Sequence, residues 1–283
     1  MALKDNVDGK KYKRFWWQFG RGVPNLYHAI GRGDSFEAHP AGWVRLAAPP
    51  KTVLVGPYTS KFVSPVFIDM FQVIDLGLRV FSEPGFSSFS LLRSTIHEEW
   101  AWKQGSRMKR DLRYTHSDIY ETFPFPTQAD LSLLETLGES YHQTRADALI
   151  TRNIGLTKFY NFFHDPDCDD EDVTELRTLR VKMDLAVAEA YGWNDLALDH
   201  DFHEVDYLPE NDRVRYTVSR EVRIEILKRL SILNKERYEE EVAQGLHGAK
   251  RAPRTKTPKK STAPAAAEQQ GINFGDADSE AAE

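Results

Sequence analysis

Cysteine is all but absent. Cys168 stands alone among 283 residues, which excludes a disulfide framework and any zinc site built on several cysteines. Long apolar runs are missing too. Nothing approaches the length of a membrane span, and Met1 to Asp5 does not lead into a signal-peptide core, so a cytoplasmic protein without a membrane partner is expected. No Asn-x-Ser/Thr acceptor occurs. The signatures of common catalysts are also lacking. There is no Walker loop, no Gly-x-Ser-x-Gly, and His97-Glu98-Glu99-Trp100 stops short of HExxH. A methylase needs a glycine-rich strand-to-helix turn for its nucleoside cofactor, and an amino-group methylase adds an Asn/Asp-Pro-Pro-aromatic loop for the target amine. Neither is present, and Gly20-Arg21-Gly22 and Gly31-Arg32-Gly33 are isolated pairs that follow no strand. No catalytic residue and no cofactor site is therefore assigned within this sequence.

Metal ligands fare no better. The acidic run Asp165 to Asp172 fails the EF-hand template, with Asp170 where the loop needs glycine and Leu176 where it needs glutamate. Asp199-His200-Asp201-Phe202-His203 holds ligand residue types, but its spacing fits neither a helical zinc pair nor a facial triad. A metal-dependent hydrolase built on His200, Asp201 and His203 is the alternative that elemental analysis tests.

What is present is a sharp change of character. Residues 10–125 carry 16 Lys/Arg against 10 Asp/Glu, whereas residues 126–245 carry 14 against 26. A basic module before an acidic one suits a nucleic-acid contact confined to the first half. The join is Arg113 to Pro126, RYTHSDIYETFPFP, where Ser117-Asp118 offers a helix N-cap and the paired prolines stiffen the exit. The reading is a mixed α/β module over residues 1–126, a helical module over 127–244 and a disordered tail over 245–283, an α+β class overall.

The first module opens with cations leading into Phe15-Trp16-Trp17-Gln18-Phe19, an anchor for a linker or a stacking surface, and a short helix is expected over Asn25 to Ile30. Val53 to Val55, Val63 to Phe71 and Val73 to Phe81 read as strands. Phe89, Leu92, Ile96 and Trp100 recur at helical spacing on one buried face, with Ser87 or Ser88 as cap. Beyond it the positive charge concentrates in Lys103, Arg107, Lys109, Arg110 and Arg113, on a loop after Gly105-Ser106 and a short strand from Asp111 to Thr115. These five suit gripping a duplex backbone, with one or two arginines reading guanine. Thr59, Ser60 and Lys61 supply a second contact from a loop between strands.

The second module reads as three or four packed helices. Asp130 caps the first, which faces inward through Leu134, Leu137 and Tyr141. Leu156 to Phe163 follows, then a helix with Leu176, Leu179, Met183, Val187 and Ala190 in register, ending at Tyr191-Gly192-Trp193. Ser219 caps the last, which buries Ile226, Leu230 and Leu233. Past Gly245, lysine and arginine among proline, threonine and alanine cannot build a core.

Several stretches together resemble a known family. They are FWWQF with Arg21, PYTSKF (Pro57–Phe62), the block from Ser88 through RYTHSDIYETFPFP, GLTKFYNFFHDP (Gly155–Pro166), LRTLRVKMDLAVAEAYGW (Leu176–Trp193), LDHDFHE (Leu198–Glu204) and Arg215 to Glu241. They are similar to the C-terminal portion of MmeI-type (type IIL/IIG) restriction-modification enzymes and their relatives in BREX and DISARM phage-defence systems. In that family an upstream domain binds S-adenosylmethionine and methylates adenine, and the regions resembled here are the target-recognition domain and the helices packed around it. The resemblance implies a DNA sequence-recognition portion that binds double-stranded DNA and works with a methylase chain encoded nearby. S-adenosylmethionine then belongs to that methylase. The alternative is a protein-interaction scaffold that docks a methylase or another defence component without appreciable DNA binding. The family gives the region; the roles of individual cations rest on charge and loop placement.

Overall fold

Valine and leucine alternate through the first strand, and that alternation puts a different apolar surface on each side of it. In the computed structural model, which describes residues 51–70, 77–81, 85–127 and 130–246 with the single positions 26, 72, 74 and 75, four strands come first. They are β1 (Thr52–Pro57), β2 (Thr59–Ser60), β3 (Val66–Asp69) and β4 (Leu78–Phe81). β1 lies between β3 and β4, antiparallel to both. Residues directly opposite share a face. Val53 with Ile68, and Val55 with Val66 and Val80, therefore form a small cluster with Met70 and Leu26. Leu54, with Phe67 and Phe81 opposite it, turns into the main core. The first strand is longer than the Val53 to Val55 expected, whereas the other two are shorter than expected, and the Leu78 and Gly77 amides turn back onto Asp75 just before β4. The aromatic run at Phe15 to Phe19, the helix expected over Asn25 to Ile30 apart from helical Leu26, and the tail beyond Leu246 lie outside the described residues.

Phe89, Leu92, Ile96 and Trp100 are buried as one face, but they belong to two helices rather than one. α1 (Phe86–Arg93) and α2 (Thr95–Gln104) break at Ser94, whose Oγ accepts from the His97 amide at 3.1 Å and donates to the Leu91 carbonyl at 2.7 Å. Neither Ser87 nor Ser88 caps α1. Gly85 occupies that position, and the Ser87 amide is met at 2.6 Å by the carboxylate of Glu135 from a later helix. The start of α2 is treated the same way, by Asp184. Orphan donors at a helix N-terminus favour an anion, and here the anions come from 48 and 89 residues downstream.

After α2 the chain folds into a hairpin of β5 (Ser106–Met108) and β6 (Asp111–Arg113), and β6 also pairs with β2. Gly105 is required at the entry, since a Cβ there would sit 2.6 Å from Leu112 Cδ1 and 2.7 Å from the Ala101 carbonyl. His116–Tyr120 then make a single wide helical turn; its N-cap is Thr115 rather than Ser117 or Asp118, and Thr115 Oγ1 donates to Asp118 at 2.9 Å. Phe123 is buried and Phe125 half-buried, so the Phe-Pro-Phe-Pro exit is anchored. Asn234 Nδ2 holds the Thr122 carbonyl from the far side at 2.6 Å.

The rest is α3 (Ser132–Arg152), α4 (Leu156–Phe163), α5 (Glu171–Ala190), a two-stranded ladder of β7 (Asp201–Glu204) and β8 (Val214–Thr217), and α6 (Arg220–Ala243). Leu131 rather than Asp130 is the N-cap of α3, although Asp130 Oδ1, one residue earlier, accepts from the Ser132 amide; Gly192 (φ 73°) follows the end of α5. Ser219 Oγ meets the Val222 amide, Ile226 and Leu230 are fully buried, and Leu233 is half-buried. The β7–β8 ladder was not foreseen among the helices. α1 and α3 pack tightly at Gly138, where a Cβ would stand 2.4 Å from the Phe86 carbonyl oxygen. One apolar core runs from Leu54 through Trp100, Phe123, Tyr160 and Met183 to Leu230, so burial does not stop at Pro126.

Within that core sits a charged cluster. Asp184 of α5 accepts from the Thr95 amide (2.8 Å), Thr95 Oγ1 (2.5 Å), Arg180 Nε (3.0 Å) and His200 Nε2 (2.8 Å). Burial opposes its charge, yet Arg180 and His200 hold the carboxyl well below the usual range. Arg93 of α1 and Arg145 of α3 each donate at 3.1 Å to the Tyr160 hydroxyl, and Arg145 also reaches the Pro65 carbonyl at 2.9 Å. Burial raises the Tyr160 phenol, but the two guanidiniums outweigh it and bring it down to about 7.

Candidate nucleic-acid interface

The three-stranded sheet in the order β2-β6-β5 presents one face to solvent. Pairing defines that face: Arg113 lies opposite both Thr59 and Ser106, and Met108 opposite Asp111. The other face carries Leu112, which is buried, with Ser60 and Arg107 opposite it. At the hairpin tip Lys109 adopts the left-handed region (φ 58°), a conformation L-residues other than Asn and Asp seldom take, and Arg110 completes the turn. Both tip cations are exposed.

Arg113 is held rather than loose. Its Nε donates to the Tyr58 hydroxyl, and its guanidinium carbon lies 5.1 Å from the centre of that ring. Arg79 packs over the same ring at 3.7 Å and donates to the Tyr114 carbonyl at 3.3 Å. The Tyr58 amide donates to Gly77 and its carbonyl accepts from Tyr114, so this residue ties β4 to β6. Tyr114 is fixed in turn through His97. Burial pulls the imidazole down to about 3. It is therefore neutral, with Nδ1–H donating to the Leu92 carbonyl at 2.9 Å and Nε2 accepting from the Tyr114 hydroxyl at 3.0 Å. A buried chain of hydrogen bonds thus sets the strand that carries Arg113.

The cations named from sequence divide into three groups. Lys109, Arg110 and Arg113 share the hairpin and its outer face, with Thr59 beside Arg113. Lys103 and Arg107 are exposed but line a separate cleft that also contains Glu99 and Arg223. Lys61 is paired inside the protein: its ammonium is 2.6 Å from Asp212 and 3.3 Å from Asn161 Oδ1. Ser60 Oγ accepts from the Phe62 amide at 3.1 Å and faces the buried side. The side chains of Lys103, Arg107, Lys109 and Arg110 make no ion pair or hydrogen bond among the described residues, which leaves their charge available to a polyanion.

Tyr58 and Arg79 are the members of this surface that sequence reasoning missed. PYTSKF contained Tyr58, but nothing local marks it as the ring between two arginines lying 21 residues after it and 55 residues after it. Among the described residues no group of three or more His, Cys, Asp or Glu could hold a metal ion. His200, Asp201 and His203 do not converge, since His200 is committed to Asp184.

Residues 52–127 match the family described as the target recognition domain of MmeI. That stretch is an MmeI-type recognition region, and it contains the sheet, both helices and the hairpin described above. A solved structure of the Type IIL restriction-modification enzyme MmeI in complex with DNA is similar at 18% identity and a TM-score of 0.49, covering 84% of this chain. The chain spans about a quarter of that protein's length, 25%. No curated protein sequence matches.

Proposed function

We propose that this chain reads DNA sequence for an adenine-specific methyltransferase of a restriction-modification or phage-defence system. The observation that carries the reading is the recognition-domain match over residues 52–127, joined to a hairpin whose tip cations, Lys109 and Arg110, have no internal partner among the described residues. Lys109 and Arg110 contact phosphates from the tip, and Arg113, positioned by Tyr58, faces the duplex from the sheet. Phosphate contacts set register and supply most of the affinity; base contacts supply the specificity. Catalysis and S-adenosylmethionine belong to a methylase that works with this chain, since none of the motifs for that cofactor occur in it. The helices beyond residue 127 hold the recognition elements through Glu135, Asp184 and Arg145.

Fluorescence-polarisation titration with duplex DNA across a salt series tests this. The expected result is an affinity that falls linearly on a log-log plot against salt. Affinity indifferent to salt, or no duplex binding at all, would contradict it; co-purification with a methylase in that second case would favour a docking scaffold.

A further inference from the structure

An open cleft of about 270 Å³ lies between α2, the segment around Tyr207 and the first turns of α6. Lys103, Arg107 and Arg220 line it, and Trp102, Ile224 and Leu227 give it an apolar wall. Trp102 and Tyr207 stack at 4.6 Å and 15°. The Tyr207 hydroxyl donates to Glu99 Oε1 at 3.2 Å, while the second Glu99 oxygen has no hydrogen bond among the described residues. Burial pushes the Glu99 carboxyl up to about 8, so at neutral pH it keeps a proton and can both donate and accept. Arg223 is only 5% exposed; its Nη2 donates to the Glu204 carbonyl at 2.9 Å, yet its Nε–H has no partner. Asp206 is the opposing carboxylate, 3.7 Å from Arg220 and 3.9 Å from Arg223, and it is largely exposed.

Four cations therefore line a cleft that also holds the Asp206 carboxylate, beside an apolar wall and a buried carboxylic acid. Such a pocket suits a ligand with a flat heteroaromatic part and an anionic part.

We propose that this cleft binds a nucleoside phosphate: the base lies along the wall with its edge at Glu99, and the phosphate displaces Asp206 from Arg220 and Arg223. Lys103 and Arg107 close over the phosphate from the hairpin side. The nucleotide is either free or extruded from bound DNA, and only the second source rests on the DNA-reading function above.

Calorimetric titration of the full chain with dAMP, dCMP, dGMP and dTMP, and with inorganic phosphate alone, decides it. Saturable binding of at least one mononucleotide, with inorganic phosphate much weaker, is expected. Asp206→Asn should tighten it roughly twofold to fivefold, and the exposed Arg220→Ala should weaken it by a similar factor, the scale of single rim charges. The proposal is overturned if no mononucleotide saturates, if inorganic phosphate binds as tightly as the best of them, or if Asp206→Asn fails to tighten binding. A duplex with one bulged nucleotide, compared with its fully paired counterpart, separates the sources. Tighter binding of the bulged duplex, enhanced by Asp206→Asn, assigns the nucleotide to DNA; equal affinities alongside mononucleotide binding assign it to the free pool. A chain that binds duplex but no mononucleotide loses the cleft alone, and one that binds mononucleotides but no duplex loses the DNA-reading function instead.

Discussion

Two groups of arginines and lysines define this molecule, and they differ in everything but charge. Arg93, Arg145 and Arg180 are 1%, 1% and 3% exposed, and each has an internal partner in Tyr160, Glu98 or Asp184. Lys109 and Arg110 stand on a hairpin tip with none among the described residues. The first group fixes how helices meet; the second is free to bind something else. A charge tally along the chain adds them together, although burial makes the former a matter of stability and exposure makes the latter one of recognition.

The strongest break of this contrast is Asp184→Ala. It leaves Arg180 with Glu98 as its one carboxylate, takes the acceptor from His200 and from the Thr95 amide at the start of α2, and a loss of about 3–5 kcal/mol is expected in urea unfolding. Tyr160→Phe is next, at roughly 1–3 kcal/mol, because it leaves two buried guanidiniums short of an acceptor. It also sharpens the comparison through pH. The fold lowers the Tyr160 phenol from its ordinary 10 to about 7, so the stability contributed by its charged form is fully present above pH 10 and is lost as pH falls through 7. Stability measured between those limits should rise with pH in the wild type and rise less in Tyr160→Phe, and tyrosinate absorbance should appear near neutral pH. Lys61→Met removes a partly exposed ion pair with Asp212 and should cost about 0–1 kcal/mol, with a smaller loss of DNA affinity than the hairpin substitutions. The smallest effect is expected of Lys109→Gly. Relief of the left-handed backbone is set against a more flexible unfolded chain, leaving a gain within about 1 kcal/mol in thermal unfolding.

The contrast also explains what could be read in advance. Apolar periodicity located Phe89, Leu92, Ile96 and Trp100, the aromatic run of α4 and the buried stripes of α5 and α6, because burial imprints its period on adjacent residues. The break at Ser94 escaped notice because both helices continue the same buried face. The carboxylates that meet their first-turn amides escaped because Glu135 and Asp184 lie far away in sequence, and so did Tyr58 between Arg79 and Arg113. The five basic residues from Lys103 to Arg113 were found by composition alone. Composition could not tell that strand pairing turns Arg113 to the outer face and Arg107, one strand over, toward the cleft, nor that Lys61 is matched by Asp212.

The most direct test is the salt dependence of duplex binding by the Lys109→Ala/Arg110→Ala double variant beside the wild type, with urea unfolding confirming equal stability. Loss of two phosphate contacts should weaken binding and make the log-log slope shallower by about 1.8. An unchanged affinity and an unchanged slope would contradict the assignment of the hairpin as the DNA-contacting surface.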